Sequence, residues 1–177
     1  MSLPEWQEEA VAKHHDRKSF DCGDVDLNNY LAKHARQAHE AGGAKTYVAV
    51  ATASSQTVLG YYTLAPGALA YAETPETVRR GLARHDVPVF RLARLATQLG
   101  LRGQGLGGQL LLAAGERCLL AAHSVGGVGL LIDAKGERAA AWYESYGAIR
   151  LEDRPLTLIL PFATVAAAFN AAGTGQQ

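Results

Sequence analysis

The sequence predicts an α/β domain built on one mixed sheet, and three observations carry that reading. Two β-rich runs, Thr46–Ala53 and Val58–Ala65, flank Ser54, Ser55 and Gln56 as a hairpin. Residues 90–112, FRLARLATQLGLRGQGLGGQLLL, read as a strand, a glycine-rich turn with one arginine, and the start of an apolar helix. Strands elsewhere outnumber those of a simple strand–helix alternation, so the sheet must contain both parallel and antiparallel neighbours.

The elements follow in order. Asp24 is placed to cap a helix whose positions Leu27, Tyr30, Leu31, His34, Ala35 and Ala38 share one face, and Gly42 and Gly43 stop it. The hairpin comes next, with Pro66 predicted to end its second strand. Thr74 as cap and Pro75 at the first helical position predict a short helix to about Ala83. With Pro88 ahead of it, the central strand puts Phe90, Leu92 and Arg94 on one face and Arg91, Ala93 and Leu95 on the other. Its helix runs from Leu106 to about His123, and Gly126 and Gly127 break the chain before GLLIDA, an apolar run that suits a buried strand. Glu137–Tyr146 is predicted helical with Gly147 at its C′ position; Leu151 and its neighbours, then Leu156–Leu160, form a last strand pair around EDRP. Phe162–Ala172 is an alanine-rich helix, and residues 171–177 end the chain as a flexible tail. No repeat, low-complexity tract or linker interrupts the series, so residues 1–177 are expected to form a single domain.

Composition bounds the function without naming it. A chain of 177 residues, 48% apolar, can bury roughly 70% of its unfolded surface and needs no staples. Seventeen basic and seventeen acidic residues cancel, which argues against indiscriminate polyanion binding. Cys22 and Cys118 are far apart with no metal-like spacing, and read as reduced thiols. The N-terminal stretch is charged and lacks an apolar h-region, and no run reaches the length of a membrane span; a soluble, cytoplasmic protein is expected. The six histidines offer no set with ligand spacing, so no metal is predicted.

The chemistry concentrates in the glycine-rich turn. Gly103, Gly105, Gly107 and Gly108 remove the Cβ atoms that would hold a ligand off the backbone, and they lie where a helix begins with its N–H groups unspent. That is an anion site. Its GQGLGG matches the dinucleotide fingerprint at Gly103, Gly105 and Gly108, with Asp133 about 25 residues on as a ribose-binding acid. A dinucleotide fold opens with that unit, whereas here about ninety residues precede it, and the nucleoside-triphosphate loop G-x-x-x-x-G-K-[ST] does not occur.

The competing pattern, [R/Q]-x-x-G-x-[G/A], is filled by Arg102, Gly105 and Gly107. It resembles the acyl-CoA pyrophosphate loop of the GNAT N-acetyltransferases. FDCGDVDLNNYL, YVAV, LGYYTLA, PVFRLARLA, IDAK and AAAWYESYGA, from about Phe20 to Leu160, look like successive landmarks of the TacT-type GNAT toxins of bacterial toxin–antitoxin pairs. The resemblance implies the GNAT fold, in which two neighbouring strands of a mixed central sheet splay apart to admit acetyl-CoA as co-substrate. Thr97 and Gln98 depart from the Val/Asp-like pair expected there, and Trp142 stands where Phe is more usual.

Transfer of an acyl group from a thioester to an amine needs a pyrophosphate cradle, a polarised carbonyl, a neutral amine and a proton for the leaving thiolate. Arg102, Gly103, Gln104, Gly105, Leu106, Gly107 and Gly108 supply the cradle, Arg102 adding a charge-assisted bond. A backbone N–H of Leu95, Ala96 or Thr97 is placed to hold the carbonyl oxygen. By the resemblance, Tyr143 is the acid; a phenol stays protonated at neutral pH and can donate to a thiolate, and Tyr146, one turn on, competes for the role. Glu144, Glu137, His85 and Asp133 are candidate bases, although an aminoacyl α-amino group, with a pKa near 8, needs little help.

Between residues 79 and 102, Arg79, Arg80, Arg84, Arg91, Arg94 and Arg102 face a single acid, Asp86, with Lys45 a weaker addition. This basic stretch suits RNA. The toxins it resembles acetylate the amino group of aminoacyl-tRNA, block translation, and are silenced by a small DNA-binding antitoxin; they are often homodimers. Acetylation of a small amine such as a polyamine, or a silent acyl-CoA-binding module acting through a protein partner, are the competing functions.

Overall fold

A computed structural model describes residues 3–174. The strands are β1 (Gln7–Ala10), β2 (Lys45–Val50), β3 (Gly60–Leu69), β4 (Val87–Thr97), β5 (Gly129–Asp133), β6 (Ile149–Arg150) and β7 (Thr157–Pro161). They form a seven-stranded sheet in the order β1-β2-β3-β4-β5-β7-β6. The β4–β5 pair is parallel, while β1–β2, β2–β3, β5–β7 and β6–β7 are antiparallel, which makes the sheet mixed as predicted. The helices are α1 (Val25–Lys33), α2 (Ala35–Ala41), α3 (Glu76–Arg79), α4 (Leu106–Val125), α5 (Glu137–Ser145) and α6 (Phe162–Thr174). No helix among the described residues is long and apolar enough to cross a membrane.

The chain divides into two compact units, Met1–Ala65 with Ala93–Ala113, and Pro66–Leu92 with Ala114–Gln177. The chain passes from one unit to the other inside β3, β4 and α4.

The first unit is built on the β1–β2–β3 ladder and the helices α1 and α2. The Asp24 carboxylate accepts the N–H groups of Asp26 and Leu27 and so caps α1. Gly42, at φ +83, closes α2 in the left-handed conformation. The single helix expected between these signals is broken at His34, whose φ of −126° is not helical. The sequence groups His34 with the helix's apolar face, but the structure leaves it exposed, and a histidine there gives no breaker signal. The hairpin forms as predicted, Thr46 opposite Thr63 with their hydroxyls 2.8 Å apart in the interior. Val11, Phe20, Leu31, Ala35, Val48, Val50, Val58, Tyr61 and Ala96 form the core.

The second unit packs Leu69, Val87, Val89, Leu131, Leu151 and Ile159 as its core. Pro66 does not end β3, which continues to Leu69. The last β3 residue paired with β2 is Leu64, opposite Lys45, so beyond that point proline's missing N–H breaks no bond to β2. Pro88 lies inside β4 rather than ahead of it, and its carbonyl accepts the Val128 N–H. The helix predicted from Pro75 to Ala83 is one turn, α3, and Thr74 does not cap it, because the Thr74 hydroxyl is turned back to the Ala70 carbonyl. Gly147, at φ +96, follows α5 where a C′ glycine belongs. Residues 171–174 of the expected tail are helical, and 175–177 lie outside the described residues.

Candidate functional site

The pairing of β4 with β5 covers three residue pairs, Phe90–Leu92 against Leu130–Ile132. β4 then runs five residues further, through Leu95, Ala96 and Thr97. A turn of tighter helix, Leu99–Leu101, carries the chain to Arg102. Gly103 and Gly105 have φ values of +77° and +92°, conformations that residues with a Cβ rarely adopt. An added Cβ at either would meet nothing within 4 Å, so the loop's outer face is open. The first helical bond of α4 runs from Gln109 N–H to the Gly105 carbonyl. The N–H groups of Leu106, Gly107 and Gly108 therefore come before it, at the positive end of a 20-residue helix. Leu106, Leu110, Leu111 and Ala114 are buried and hold the helix down.

Gly60 keeps this region tight. A Cβ there would lie 2.9 Å from both the Ala96 carbonyl oxygen and Leu110 Cδ1, and 3.3 Å from Leu106 Cδ2. The departure at Gln98 is also resolved: its side-chain amide donates to the Val58 carbonyl and accepts the Asp21 N–H, so Gln98 ties strands and loop together. Arg102 donates from Nη2 to the Cys22 carbonyl at 2.7 Å. No sequence signal joined these two residues, which are 80 apart.

In the second unit α5 carries Tyr143, half-buried, its ring edge-on to Trp142 at 4.9 Å. Burial pushes its phenol up to about 12. Its hydroxyl makes no hydrogen bond among the described residues. Tyr146, which packs on Trp142 at 5.0 Å, lies past the end of α5 as its C-terminal cap. Arg150, which sequence reasoning passed over, clasps both ends of this helix: its Nη atoms donate to both Glu137 oxygens at 2.8 and 2.6 Å, and its Nε lies 2.8 Å from Glu144 Oε1. The Arg150 bonds hold the Glu137 carboxyl below the usual carboxylate range. Two candidate bases are thereby tied up. A third, Asp133, accepts Arg91 at 2.6 Å and the Thr157 hydroxyl at 2.9 Å. His85 is exposed.

The predicted basic patch is not uniform. Arg91 is paired with Asp133, and Arg79 lies 4.8 Å over the Tyr71 ring and bonds the Tyr71 carbonyl. Arg80 and Arg84 are exposed and carry no ion pair among the described residues. In the first unit Arg94 stacks 3.5 Å over the Tyr30 ring, and Lys45 is exposed while donating to the His39 carbonyl.

The adjacent histidines do have a partner: ligand atoms of Glu9, His14 and His15 lie within 4.8 Å of one another. His15 Nδ1 accepts the Ala12 N–H, which leaves the neutral ring's proton on Nε2, and Nε2 lies 2.8 Å from Glu9. A metal-bound histidine donates its second N–H outward, the opposite arrangement, so the trio reads as a hydrogen-bonded tie between β1 and the turn after it.

Solved structures and curated relatives place the chain. No protein-family model matches it. Among solved structures it is similar to AtaT complexed with acetyl-methionyl-tRNAfMet, at a TM-score of 0.86 and 28% identity over 93% of this chain and 99% of that one. Related structures include a tyrosine-to-phenylalanine mutant of KacT, and AtaT bound to acetyl-CoA and to the C-terminus of the antitoxin AtaR. The fold shared with these acetyl-CoA-binding proteins is that of a GNAT acetyltransferase with acetyl-CoA as co-substrate. Among curated proteins, the chain is 38% identical over 145 residues to a tRNA-acetylating toxin of Mycobacterium tuberculosis, covering 82% of this chain and 85% of the relative. It is 30% identical over 159 residues to a probable toxin TacT of Sinorhizobium fredii, covering 85% and 87%. The chain belongs to this TacT-type family of acetyltransferase toxins.

Proposed function

We propose that the protein transfers an acetyl group from acetyl-CoA to the α-amino group of aminoacyl-tRNA, blocks translation by doing so, acts in the cytoplasm, and is silenced by a small antitoxin. The observation that carries the substrate is the family itself: the relative from M. tuberculosis is a tRNA-acetylating toxin, and AtaT is seen with an acetylated methionyl-tRNA. Exposed Arg80 and Arg84, with Arg79 beside them on the chain, are the cations we assign to the phosphate backbone, with Lys45 in a lesser role. Arg91 and Arg94, already engaged by Asp133 and Tyr30, bind RNA only through the arms those contacts leave open.

In this reading the N–H groups of Gly103 and of Gly105–Gly108, with the side chain of Arg102, hold the pyrophosphate of acetyl-CoA, while the Gln104 N–H is given to the Leu101 carbonyl at 3.3 Å. The stretch of β4 beyond its β5 pairing, Leu95–Thr97, presents backbone N–H to the thioester oxygen, where negative charge grows as the amine attacks. The C–S bond then breaks as the N–C bond is kept, Tyr143 gives its proton to the departing thiolate, and the proton shed by the nitrogen as it becomes an amide passes through solvent to restore the Tyr143 phenol. Its unengaged hydroxyl and raised pKa keep it protonated until the thiolate forms. The attacking amine supplies its own lone pair; a useful fraction of an α-amino group with a pKa near 8 is neutral at cytoplasmic pH, and Glu137, Glu144 and Asp133 are each held by an arginine. Each role in this transfer is assigned to a side chain or a backbone N–H of the chain, and we infer that it runs without a metal.

Induced expression tests the reading in cells. Wild-type protein arrests growth and acetylated aminoacyl-tRNA accumulates, whereas Tyr143→Phe does neither. Arrest by both proteins alike, or loss only with Tyr146→Phe, would move the acid role away from Tyr143.

A further inference from the structure

We propose that Asp21–Gly23 is the element that positions the acyl-CoA loop, acting through Arg102 and Gln98, with Gly23 the residue whose missing Cβ lets segment and loop close together. The inference rests on the reading of residues 102–108 as that loop.

Three hydrogen bonds join the segment to the loop's approach. Leu99 N–H donates to the Asp21 carbonyl at 3.0 Å, Asp21 N–H donates to Gln98 Oε1 at 3.4 Å, and Arg102 Nη2 donates to the Cys22 carbonyl at 2.7 Å. The segment is stiff on its own account. Asp21 Oδ1 accepts Gly23 N–H at 2.8 Å and Asn28 Nδ2 at 3.0 Å, while Asn28 Oδ1 accepts Cys22 N–H at 2.9 Å. Asn28 belongs to α1, whose start is fixed by the Asp24 cap. Gly23 has φ +84°, and a Cβ there would sit 3.0 Å from Leu99 Cδ2 and 3.2 Å from Arg102 Nη2. The positive φ favours glycine, and any Cβ there would press on Leu99 and on the Arg102 guanidinium, so that one or both must shift by a few tenths of an ångström.

The consequence concerns the arginine. An arginine on an exposed loop samples many rotamers, and ordering it on a ligand costs affinity. Here one arm of the fork is already bound to a fixed carbonyl, leaving Nε and Nη1 to meet a phosphate. Removing that freedom beforehand is worth roughly two- to tenfold in affinity. Asp21, Cys22 and Gly23 are positioning residues in this account; they act through Arg102 and touch no reacting atom.

The test uses the full chain, with acetyl-CoA binding followed by calorimetry alongside steady-state kinetics for both substrates. Asp21→Ala and Gly23→Ala should raise Kd and KM for acetyl-CoA roughly three- to tenfold, with kcat and the KM for the amine acceptor within twofold of wild type. Asp21→Asn, which keeps the acceptor oxygen for Gly23 N–H and Asn28, should restore wild-type binding. Asp21→Ala should add nothing to Arg102→Ala, because both act through one group. Folded variants that bind acetyl-CoA as wild type does, losses shared equally by the acceptor KM, or full additivity with Arg102→Ala would each overturn the proposal. Should Gly23→Ala fail to fold, the Asp21 pair decides. Wild-type protein that binds no acetyl-CoA would instead overturn the loop reading itself.

Discussion

Gly60→Ala places one methyl group where β3, the outer part of β4 and the first turns of α4 meet. Its Cβ would lie 2.9 Å from the Ala96 carbonyl oxygen, and ordinary contact begins near 3.4 Å, so about 0.5 Å must be found. Leu106 Cδ2, at 3.3 Å, and Leu110 Cδ1, at 2.9 Å, are side-chain ends that can rotate by that amount, but Leu106 and Leu110 are fully buried and any rotation displaces other core atoms. The Ala96 oxygen is backbone and can move only with its strand. Overpacking of this kind costs about 1–3 kcal/mol, and the fixed carbonyl puts this site in the upper half, about 2–3 kcal/mol. For a chain of this size that lowers Tm by about 4–12 °C. Because Ala96 lies on the stretch we assign to the thioester and Leu106 begins the phosphate helix, the acetyl-CoA KM should rise as well. Urea denaturation and a titration with acetyl-CoA measure both. A loss below about 0.5 kcal/mol with unchanged acetyl-CoA binding would refute the reasoning, since it would mean that β3 and β4 separate freely. Gly103→Ala is the matched control: with open space around it, it costs only the backbone term, about 1–2 kcal/mol.

The pH profile follows from Tyr143. The acid must be protonated, and with its pKa pushed up to about 12 it stays so throughout the usable range, so kcat/KM should rise tenfold per pH unit up to the amine's pKa near 8 and then stay level to pH 10. A fall beginning near pH 9 would contradict that assignment. Burial raises both thiols, Cys118 to about 12, so neither should react appreciably with a disulfide reagent at pH 8 in native protein, and both should react at once in urea; rapid labelling of the native protein would contradict the packing. Asp24→Ala removes the acceptor of two N–H groups at the start of α1 and should lower stability by about 1 kcal/mol in urea titration, whereas no change would show that the cap contributes nothing.

Local signals in the sequence were good guides where the structure is decided locally. Asp24, Gly42 and Gly147 mark helix ends because capping is a matter of a few adjacent residues. The strand–turn–helix from β4 to α4 was legible for the same reason, since glycines with positive φ announce themselves. What failed depended on partners. Pro66 looked like a strand end because only the pairing with β2 shows that its missing N–H is not used there. Thr74 looked like a cap until the Ala70 carbonyl claimed its hydroxyl. In the site, the sequence showed a loop and a tyrosine but not the contacts that orient them: Arg102 meets Cys22, Arg150 meets Glu137 and Glu144, and Arg91 meets Asp133 through tertiary structure alone. Counting arginines therefore could not show which of them already have partners within the protein.

The most direct measurement is acetyl transfer itself. Purified protein is incubated with radiolabelled acetyl-CoA and total tRNA, either charged or deacylated, and the same is done with Tyr143→Phe. Label should enter the charged pool alone and fall at least about a hundredfold in the variant, the loss expected when a positioned proton donor is removed. Label in the deacylated pool, in a small amine but not in charged tRNA, or undiminished in Tyr143→Phe, would contradict the account.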